Sequence, residues 1–287
     1  MLNKLVIIGV GLIGGSFSLA LREAGLVREI VGVGRSMENL SAALGTYVID
    51  SASQDAAAAV PGADLVLLAV PVGQMGASMA AIAPHLSAHT VISDVGSTKQ
   101  DVVALARQHL AEHFVRFVPG HPIAGAEASG VKAARGDLFR ERNVVLTPLA
   151  ATDPTAKTLI TSLWQGCGAQ VSEMSPQQHD AVFAAVSHLP HVLAFALVDY
   201  IANQANAEQL FSFAASGFRD FTRIAGSSPE MWRDICLANR AALLQQIDAY
   251  ATELARIKAL IAADDGTGLA ALFGHARDAR KRYLSMP

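Results

Sequence analysis

A histidine between a glycine and a proline, in the run Gly120-His121-Pro122, has the clearest chemical use in this sequence. A neutral imidazole can accept a proton from an alcohol while a hydride leaves the same carbon. His121 follows a short apolar stretch, which predicts a place at a strand end, where ligands of open α/β sheets bind. Ser97, after another predicted strand, is placed to hydrogen-bond this imidazole and fix its tautomer. We therefore predict His121 as a general base supported by Ser97; a structural histidine is the alternative.

A glycine-rich run at residues 9–16 follows a β-branched apolar stretch and opens a helical pattern. In that context a GxGxxG pattern predicts a dinucleotide site, with a purely structural turn as the alternative. The first glycine permits a tight turn, the second lets the backbone approach a pyrophosphate, and the third lets the helix pack on the strand. Free N–H groups at the helix N-terminus would meet the anion. The predicted cofactor contacts in this run are Gly9, Gly11, Leu12, Ile13 and Gly14.

The residues after the second predicted strand bear on which nicotinamide cofactor binds. An NAD site carries Asp or Glu there to bind the ribose hydroxyls, whereas this chain has Gly34-Arg35-Ser36. Arg35 and Ser36 offer a guanidinium and a hydroxyl to a 2′-phosphate, with no carboxylate to repel it. We expect NADP as the preferred cofactor and NAD as the second choice; alternatively, Arg35 lies over the adenine of either. Val70 and Pro71 are expected under the nicotinamide-side ribose.

Polar side chains also stand at breaks in the second half of the chain, in the run Ser187-His188-Leu189-Pro190-His191 and at residues 217–225. Asp220 and Arg223 are three residues apart, so they share a face if that segment is helical. They form either a local ion pair or an oriented guanidinium that binds a substrate carboxylate. The sequence leaves both readings open.

These residues can form one site only if the strand ends that carry them lie close together, and the sequence pattern predicts a sheet that does this. Short apolar strands alternate with helical stretches, which is typical of a doubly wound, mainly parallel sheet. The predicted strands cover residues 5–8, 29–33, 47–50, 65–69, 91–94, 115–119, 143–147 and 170–173. From residue 177 no strand pattern is found. We predict a Rossmann-type α/β domain over residues 1–173, followed by an all-α helical substrate and dimerisation domain over residues 174–287.

The composition favours a folded protein with a small-molecule ligand. Of 287 residues, 52% are hydrophobic and 16% charged, which excludes disorder for the bulk of the chain. The net charge of −3 does not indicate the basic surface that nucleic-acid binding requires. Cys167 and Cys236 lack metal-ligand spacing, so no metal is predicted. The N-terminus does not resemble a signal peptide, which favours a cytoplasmic location. The apolar segment 181–202 contains two histidines, a proline and an aspartate, so we expect a helix buried within protein rather than a membrane span.

Five segments, GxGLIGGS, GSTK, GHPIAGxE, SHLPH and GFRDxTRIA, occur in this order and together resemble the prephenate and arogenate dehydrogenase family of tyrosine biosynthesis. The resemblance implies oxidative decarboxylation of a cyclohexadienol, with His121 as the base toward the ring hydroxyl and Arg223 binding the ring carboxylate. His188 is expected to be structural. Trp232 matches an aromatic that enters the neighbouring subunit's site, with a core tryptophan as the alternative. The implied substrate contacts are Arg223, His191, Glu127, Ser216, Asp220 and Trp232.

Two departures from the family pattern leave the substrate open. Ala126 stands where some relatives have threonine, and Ser216 where some have glycine, both near the expected substrate side chain. Prephenate and arogenate therefore both stay candidates, and the expected partners are this small molecule and a second copy packed through the apolar helices. Two alternatives are another NADP-dependent hydroxy-acid dehydrogenase or imine reductase of the same plan, and a non-enzymatic NADP-sensing protein.

Overall fold

A computed structural model describes residues 1–125, 128 and 130–284 of the chain. The chain divides into two compact units, Met1–Arg240 and the part from Ala241 onwards. The first unit contains all the described residues that the sequence analysis assigned to the site.

The first unit is built on six parallel strands: β1 Leu2–Ile8, β2 Val27–Val33, β3 Ser51–Ser53, β4 Leu65–Leu68, β5 Val91–Asp94 and β6 Phe117–Val118. Their order in the sheet is β3-β2-β1-β4-β5-β6. The chain direction across the sheet reverses between β1 and β4, and ligands of such sheets bind outside the carboxyl edge at this point. The predicted Rossmann-type fold is confirmed.

The continuous apolar runs of the central strands arise because both faces of the sheet are covered. Along β1, Leu5 and Ile7 belong to one buried cluster, and Val6 and Ile8 belong to the other. Successive side chains of a strand point to opposite faces, so one run supplies two cores. The helices of this half are α1 Leu12–Glu23, α2 Met37–Gly45, α3 Ala56–Ala59, α4 Val72–Ile82, α5 Gln100–His109 and α6 Pro154–Gly166.

The strand predicted at residues 47–50 is wrong, because β3 begins only at Ser51. Tyr47 has a φ of 56°, a left-handed conformation typical of turns. Val48 and Ile49 are apolar because they are buried in the core beside α1, and they form no sheet ladder.

A second, three-stranded sheet was not predicted. Its strands are β7 Gly120–Pro122, β8 Asn143–Leu146 and β9 Gln170–Glu173, and β8 lies in the middle. β7 pairs antiparallel with β8, with His121 opposite Val145, and β8 pairs parallel with β9. His121 therefore lies within a strand of this small sheet, just beyond the carboxyl end of β6.

From Pro176 the described residues of the first unit form helices: α7 Pro176–Phe183, α8 Leu189–Ala202, α9 Ala207–Ser212, α10 Ser216–Thr222 and α11 Pro229–Ala238. Ser175 begins α7 with a capping box, in which its hydroxyl accepts from the backbone N–H of Gln178. A π-helical turn, Ala184–His188, joins α7 to α8. Pro190 lies in the first turn of α8, and the helix continues through it.

The continuous helical run Pro176–Ala202 is the one helix among the described residues that is long and apolar enough to cross a membrane. Only 28% of its most apolar stretch is buried in this chain. Most of its surface is therefore not covered by this chain, and burial of the uncovered part within protein stays a prediction. Its polar residues His179 and Asp180 nevertheless hydrogen-bond to residues of the α/β half.

The second unit consists mainly of two long helices, α12 Arg240–Ala262 and α13 Gly266–Leu284. Large apolar side chains are exposed on both of them: Leu244, Leu254, Ile261 and Phe273.

Candidate active site

The glycines of the turn between β1 and α1 have the geometry that a dinucleotide requires. Gly9 has a φ of 99°, and a Cβ there would lie 2.4 Å from the carbonyl oxygen of Ala69. A Cβ on Gly14 would lie 2.5 Å from the carbonyl oxygen of Gly9, so this glycine permits close helix packing. A Cβ on Gly11 would meet no atom of the described residues within 4 Å. No contact within the described part of the chain therefore requires a glycine at Gly11, whereas approach of a pyrophosphate does.

The start of α1 is open to an anion. Gly11 is its N-cap and has no side chain to satisfy the N–H groups of the first turn, which includes Leu12 and Ile13. Such N–H groups, together with the helix dipole, bind phosphate. The residues of this turn thus fit a dinucleotide cofactor.

Arg35 and Ser36 are both exposed just beyond the end of β2. The Ser36 hydroxyl accepts from the backbone N–H of Asn39 at 3.2 Å and caps α2, which leaves its own proton free to donate. The side-chain amide of Gln54 donates to the Arg35 carbonyl at 2.7 Å and holds this backbone. At the other end of the cofactor turn, Val70 packs close to Gly9, and Pro71 begins α4.

His121 is held by a second histidine. Its Nδ1 lies 2.9 Å from Nε2 of His179, and the Phe183 ring packs against it in a T-shaped arrangement with 4.9 Å between centroids. Burial, and then the proximity of His179 and Lys99, place the pKa of His121 well below 6.5. The ring is therefore neutral at physiological pH, as a general base must be.

The backbone next to His121 is fixed by a buried ion pair between Lys99 and Asp94, both fully buried. The Lys99 ammonium also donates to the carbonyl of Gly120 at 2.8 Å, and Asp94 accepts from the N–H of Gly120 at 3.2 Å. Asp94 accepts from the Gly96 N–H at 2.7 Å as well. The GSTK turn and the strand that carries His121 are thus bound to each other.

Ser97 lies half-buried in this turn, and its backbone faces His188. We expected Ser97 to fix the His121 tautomer. In the structure Nδ1 of His121 hydrogen-bonds to His179, and the role of Ser97 stays a prediction.

The π-helical turn and the first turn of α8 place His188 and His191 beside Trp232. His191 stacks on the Trp232 ring at 3.6 Å, and its Nδ1 donates to the Ser187 carbonyl at 2.9 Å. Nδ1 of His188 lies 3.1 Å from the amide nitrogen of Asn239. Burial lowers the pKa of His188 to about 4. Trp232 is buried within its own chain, the arrangement given as the alternative to a place in the neighbouring subunit's site.

Arg223 begins the short 3-10 turn that follows α10 and lies close enough to His191 to lower the pKa of that ring further. Burial is the largest cause of that lowering. Asp220 and Ser216 are exposed on α10, and Glu127 lies outside the described residues. Of the predicted residues, the structure brings together His191, Trp232 and Arg223, and His188 connects this group to His121.

Sequence reasoning missed His179 and Asp180, which bond to His121 and to the start of α5. It also gave no role to Lys99, although Lys99 belongs to the GSTK motif. The adjacent histidine and aspartate in α7 belong to none of the five quoted motifs, so only the fold reveals their place.

A dinucleotide turn at the switch point of a Rossmann sheet, with a neutral imidazole beyond its carboxyl edge, defines a nicotinamide-dependent oxidoreductase. Comparison with known proteins gives the family. Residues 17–173 match the prephenate dehydrogenase nucleotide-binding domain, and residues 175–275 match the prephenate dehydrogenase dimerization domain. The chain belongs to the prephenate dehydrogenase family, whose members are NAD(P)-dependent oxidoreductases.

Individual relatives agree with this assignment. The prephenate dehydrogenase of Bacillus subtilis is 40% identical over 98% of this chain and 76% of its own length. The cyclohexadienyl dehydrogenase of Zymomonas mobilis is 36% identical over 97% of this chain and 95% of its own. The crystal structure of prephenate dehydrogenase from A. aeolicus in complex with hydroxyphenyl propionate and NAD+ has a TM-score of 0.92 at 35% identity and covers 98% of both chains. A hydroxy-acid dehydrogenase, an imine reductase or a non-enzymatic sensor is therefore not supported.

Proposed function

We propose that this chain oxidises prephenate, arogenate or both with NADP+ as the preferred acceptor, forming 4-hydroxyphenylpyruvate or tyrosine. One observation carries the proposal: a neutral base and a cation lie at the two ends of one row of side chains. His188 faces His121 at one end, and His191 faces Arg223 at the other. The Trp232 ring packs beside both histidines, with its centroid 6.0 Å from that of His188 and 3.6 Å from that of His191.

His121 takes the proton of the ring hydroxyl as a hydride leaves the carbinol carbon. Bound NADP+ supplies the hydride acceptor. The resulting dienone carries a carboxylate on the opposite ring carbon, and loss of carbon dioxide leaves a phenolate, which takes up a proton to become the phenol. Aromatisation drives that loss, so the chain's own residues need only position the ring, accept the proton and bind the carboxylate.

Arg223 binds the ring carboxylate through charge-assisted hydrogen bonds. His191 lies close to Arg223 and stacks on Trp232, and Ser97 lies in the turn beside His188. Ser216, Asp220 and Glu127 stay predicted substrate contacts.

Two substitutions test these roles, with the absorbance of the reduced cofactor as the readout. His121→Asn is expected to lower kcat by about 10²–10⁴-fold while the Kd for NADP stays unchanged. Arg223→Ala is expected to raise KM strongly, since loss of a charge-assisted contact costs about 2–5 kcal/mol. His89→Asn, at an exposed histidine, is the control. Near-normal turnover of the His121 variant, or weaker NADP binding in the Arg223 variant, would contradict the assignment. Specificity constants for both substrates decide between prephenate and arogenate.

We also propose that Arg35 and Ser36 give the preference for NADP. The carboxylate that would repel a 2′-phosphate is replaced by an exposed guanidinium and by a hydroxyl at a helix N-terminus. Arg35→Ala should lower kcat/KM for NADP by the factor that corresponds to the loss of one hydrogen bond to a charged group, which is worth about 1.5–3 kcal/mol. The value of kcat/KM for NAD should stay unchanged. Arg28→Ala, at an exposed arginine of β2, is the control. A wild type that prefers NAD would overturn this proposal.

We further propose that residues 1–173 bind the cofactor and that residues 174–287 form the substrate and dimerisation domain of a cytoplasmic homodimer. Apolar side chains of this helical part are exposed in the single chain, among them Val186 at 67% and Phe213 at 80%. Exposed apolar surface of this kind marks an interface. Sedimentation at micromolar concentration should show two copies, and a monomer would contradict the proposal.

A further inference from the structure

A line of hydrogen bonds runs from the candidate base into the protein interior. Nδ1 of His121 lies 2.9 Å from Nε2 of His179, and Nδ1 of His179 lies 2.8 Å from a carboxylate oxygen of Asp180. The side chains of His179 and Asp180 are 0% and 1% exposed. Neither residue has a role in the reaction proposed above.

The chemistry of Asp180 fixes the direction of every bond in this line. One of its carboxylate oxygens accepts from the backbone N–H of Lys99 at 2.8 Å, and the other accepts from that of Gln100 at 2.9 Å. These bonds and the bond from His179 lower the pKa of Asp180 against the opposing effect of burial. Asp180 is therefore an ionised carboxylate, which can only accept hydrogen bonds.

The protons on both imidazoles follow from this. Nδ1 of His179 must donate to Asp180, so the neutral His179 ring has its lone pair on Nε2. That lone pair accepts from Nδ1–H of His121. A neutral His121 then has its own lone pair on Nε2, the atom left for a substrate proton.

We propose that His179 and Asp180 are positioning residues that hold His121 in the tautomer with a free lone pair on Nε2 and stabilise the cation formed when this atom accepts the substrate proton. The inference rests on the proposed role of His121 as the base. In the step, the substrate hydroxyl proton bonds to Nε2 and the hydride goes to the nicotinamide. Nδ1–H of the new imidazolium still donates to His179, whose other nitrogen donates to the carboxylate of Asp180. The positive charge is thereby balanced within the protein.

The surrounding charges make this support necessary. His121 faces Lys99, His179 and His188, and each of these disfavours a positive charge on it. His179 faces Lys99 as well, but also the carboxylates of Asp180 and Asp94, which favour a positive charge. Asp180 and Asp94 can therefore stabilise a positive charge on His121 through its hydrogen bond with His179.

The tautomer can be measured directly in the full chain labelled with ¹⁵N-histidine. Nitrogen shifts in long-range ¹H–¹⁵N spectra distinguish a protonated Nδ1 from a protonated Nε2, and His121→Asn assigns the signal. We expect His121 to be protonated on Nδ1 and unprotonated on Nε2, with and without bound NADP+. A proton on Nε2 would overturn the inference, whatever the activity.

Two substitutions of His179 give the kinetic test, and both leave Asp180 to cap α5. His179→Phe keeps a ring but removes the acceptor, so kcat should fall by roughly 10- to 150-fold, the factor worth one charge-assisted hydrogen bond. KM and the Kd for NADP should not change, because His179 touches neither ligand. His179→Gln places an amide oxygen near the position of Nε2 and should restore part of kcat together with the Nδ1-protonated tautomer. His89→Phe, at an exposed site, is the control.

The outcomes separate this inference from the proposed function. Wild-type kcat in His179→Phe, or a loss confined to KM, would overturn the positioning role while the dehydrogenase assignment stands. A wild type inactive on both prephenate and arogenate would overturn the proposed function, and the spectra would still report the His121 tautomer. If His179→Phe misfolds, its NADP binding will be weak. The tautomer of His121 in the wild-type spectra and the kcat of His179→Gln then test the positioning role.

Discussion

Replacing Lys99 by methionine removes a fully buried cation and keeps a side chain of similar length. Lys99 pairs with Asp94 and donates to the Gly120 carbonyl. In Lys99→Met the Asp94 carboxylate stays buried with backbone N–H donors from Gly96 and Gly120 but without its ammonium partner. Removing one partner of a buried ion pair costs about 3–5 kcal/mol. We expect the free energy of unfolding to fall by that amount, and kcat to fall as well because Gly120 precedes His121.

Urea unfolding at fixed protein concentration, followed by circular dichroism, measures the effect. The midpoint should fall with no change in the slope, since the surface exposed on unfolding is the same. Lys157→Met is the matched control. Lys157 pairs with Glu173 at 3.1 Å, but both side chains are about 40% exposed, so the loss there should stay below about 1 kcal/mol. Equal losses in the two variants would refute the reasoning that burial makes the Lys99 pair costly to break.

Three further predictions follow from the site. Gly11→Ala should weaken NADP binding but change stability by no more than about 0.5 kcal/mol, whereas Gly14→Ala should lower Tm because its Cβ would contact the Gly9 carbonyl; thermal melts and NADP titrations check both, and a stable Gly14 variant would contradict this packing. The free energy of unfolding should fall as pH drops below 6.5, because the pKa of His188 is about 4 when folded and 6.5 when unfolded. The unfolded chain binds more protons in this window, and His188 alone accounts for about 3 kcal/mol of the loss at pH 4; a flat urea-midpoint profile from pH 6.5 to 4 would contradict it. The acid limb of kcat/KM should lie below pH 6.5, because burial lowers the pKa of His121 and the neutral ring is the base; pH–rate profiles measure it, and an inflection above 6.5 excludes His121 as that base.

The Rossmann half could be predicted because its signals are local. The run at residues 5–8 and the glycines that follow it are contiguous in sequence, and Gly9 and Gly14 each have a steric reason that the structure shows. The predicted strand at residues 47–50 was wrong because the apolar side chains of Val48 and Ile49 pack into the core, while their backbone does not pair with a strand.

The small sheet and the support of His121 could not be predicted, because both depend on contacts between distant residues. β7 is only three residues long and contains a proline, so it has no strand pattern. His121 and His179 are 58 residues apart. Trp232 and His191 were each singled out, but their stacking depends on how α11 packs beside α8.

The small sheet also acts as a spacer between two imidazoles. β8 pairs on one side with β7, which carries His121, and on the other with β9, which leads through Ser175 into the helix that carries His179. Ladder hydrogen bonds thus contribute to the separation of these rings, together with their direct hydrogen bond and the bonds from Asp180 to the start of α5. Insertions between β7 and β8, or between β8 and β9, can therefore lengthen this part of the chain without moving the two rings apart, whereas a shift of β8 by one residue would displace both.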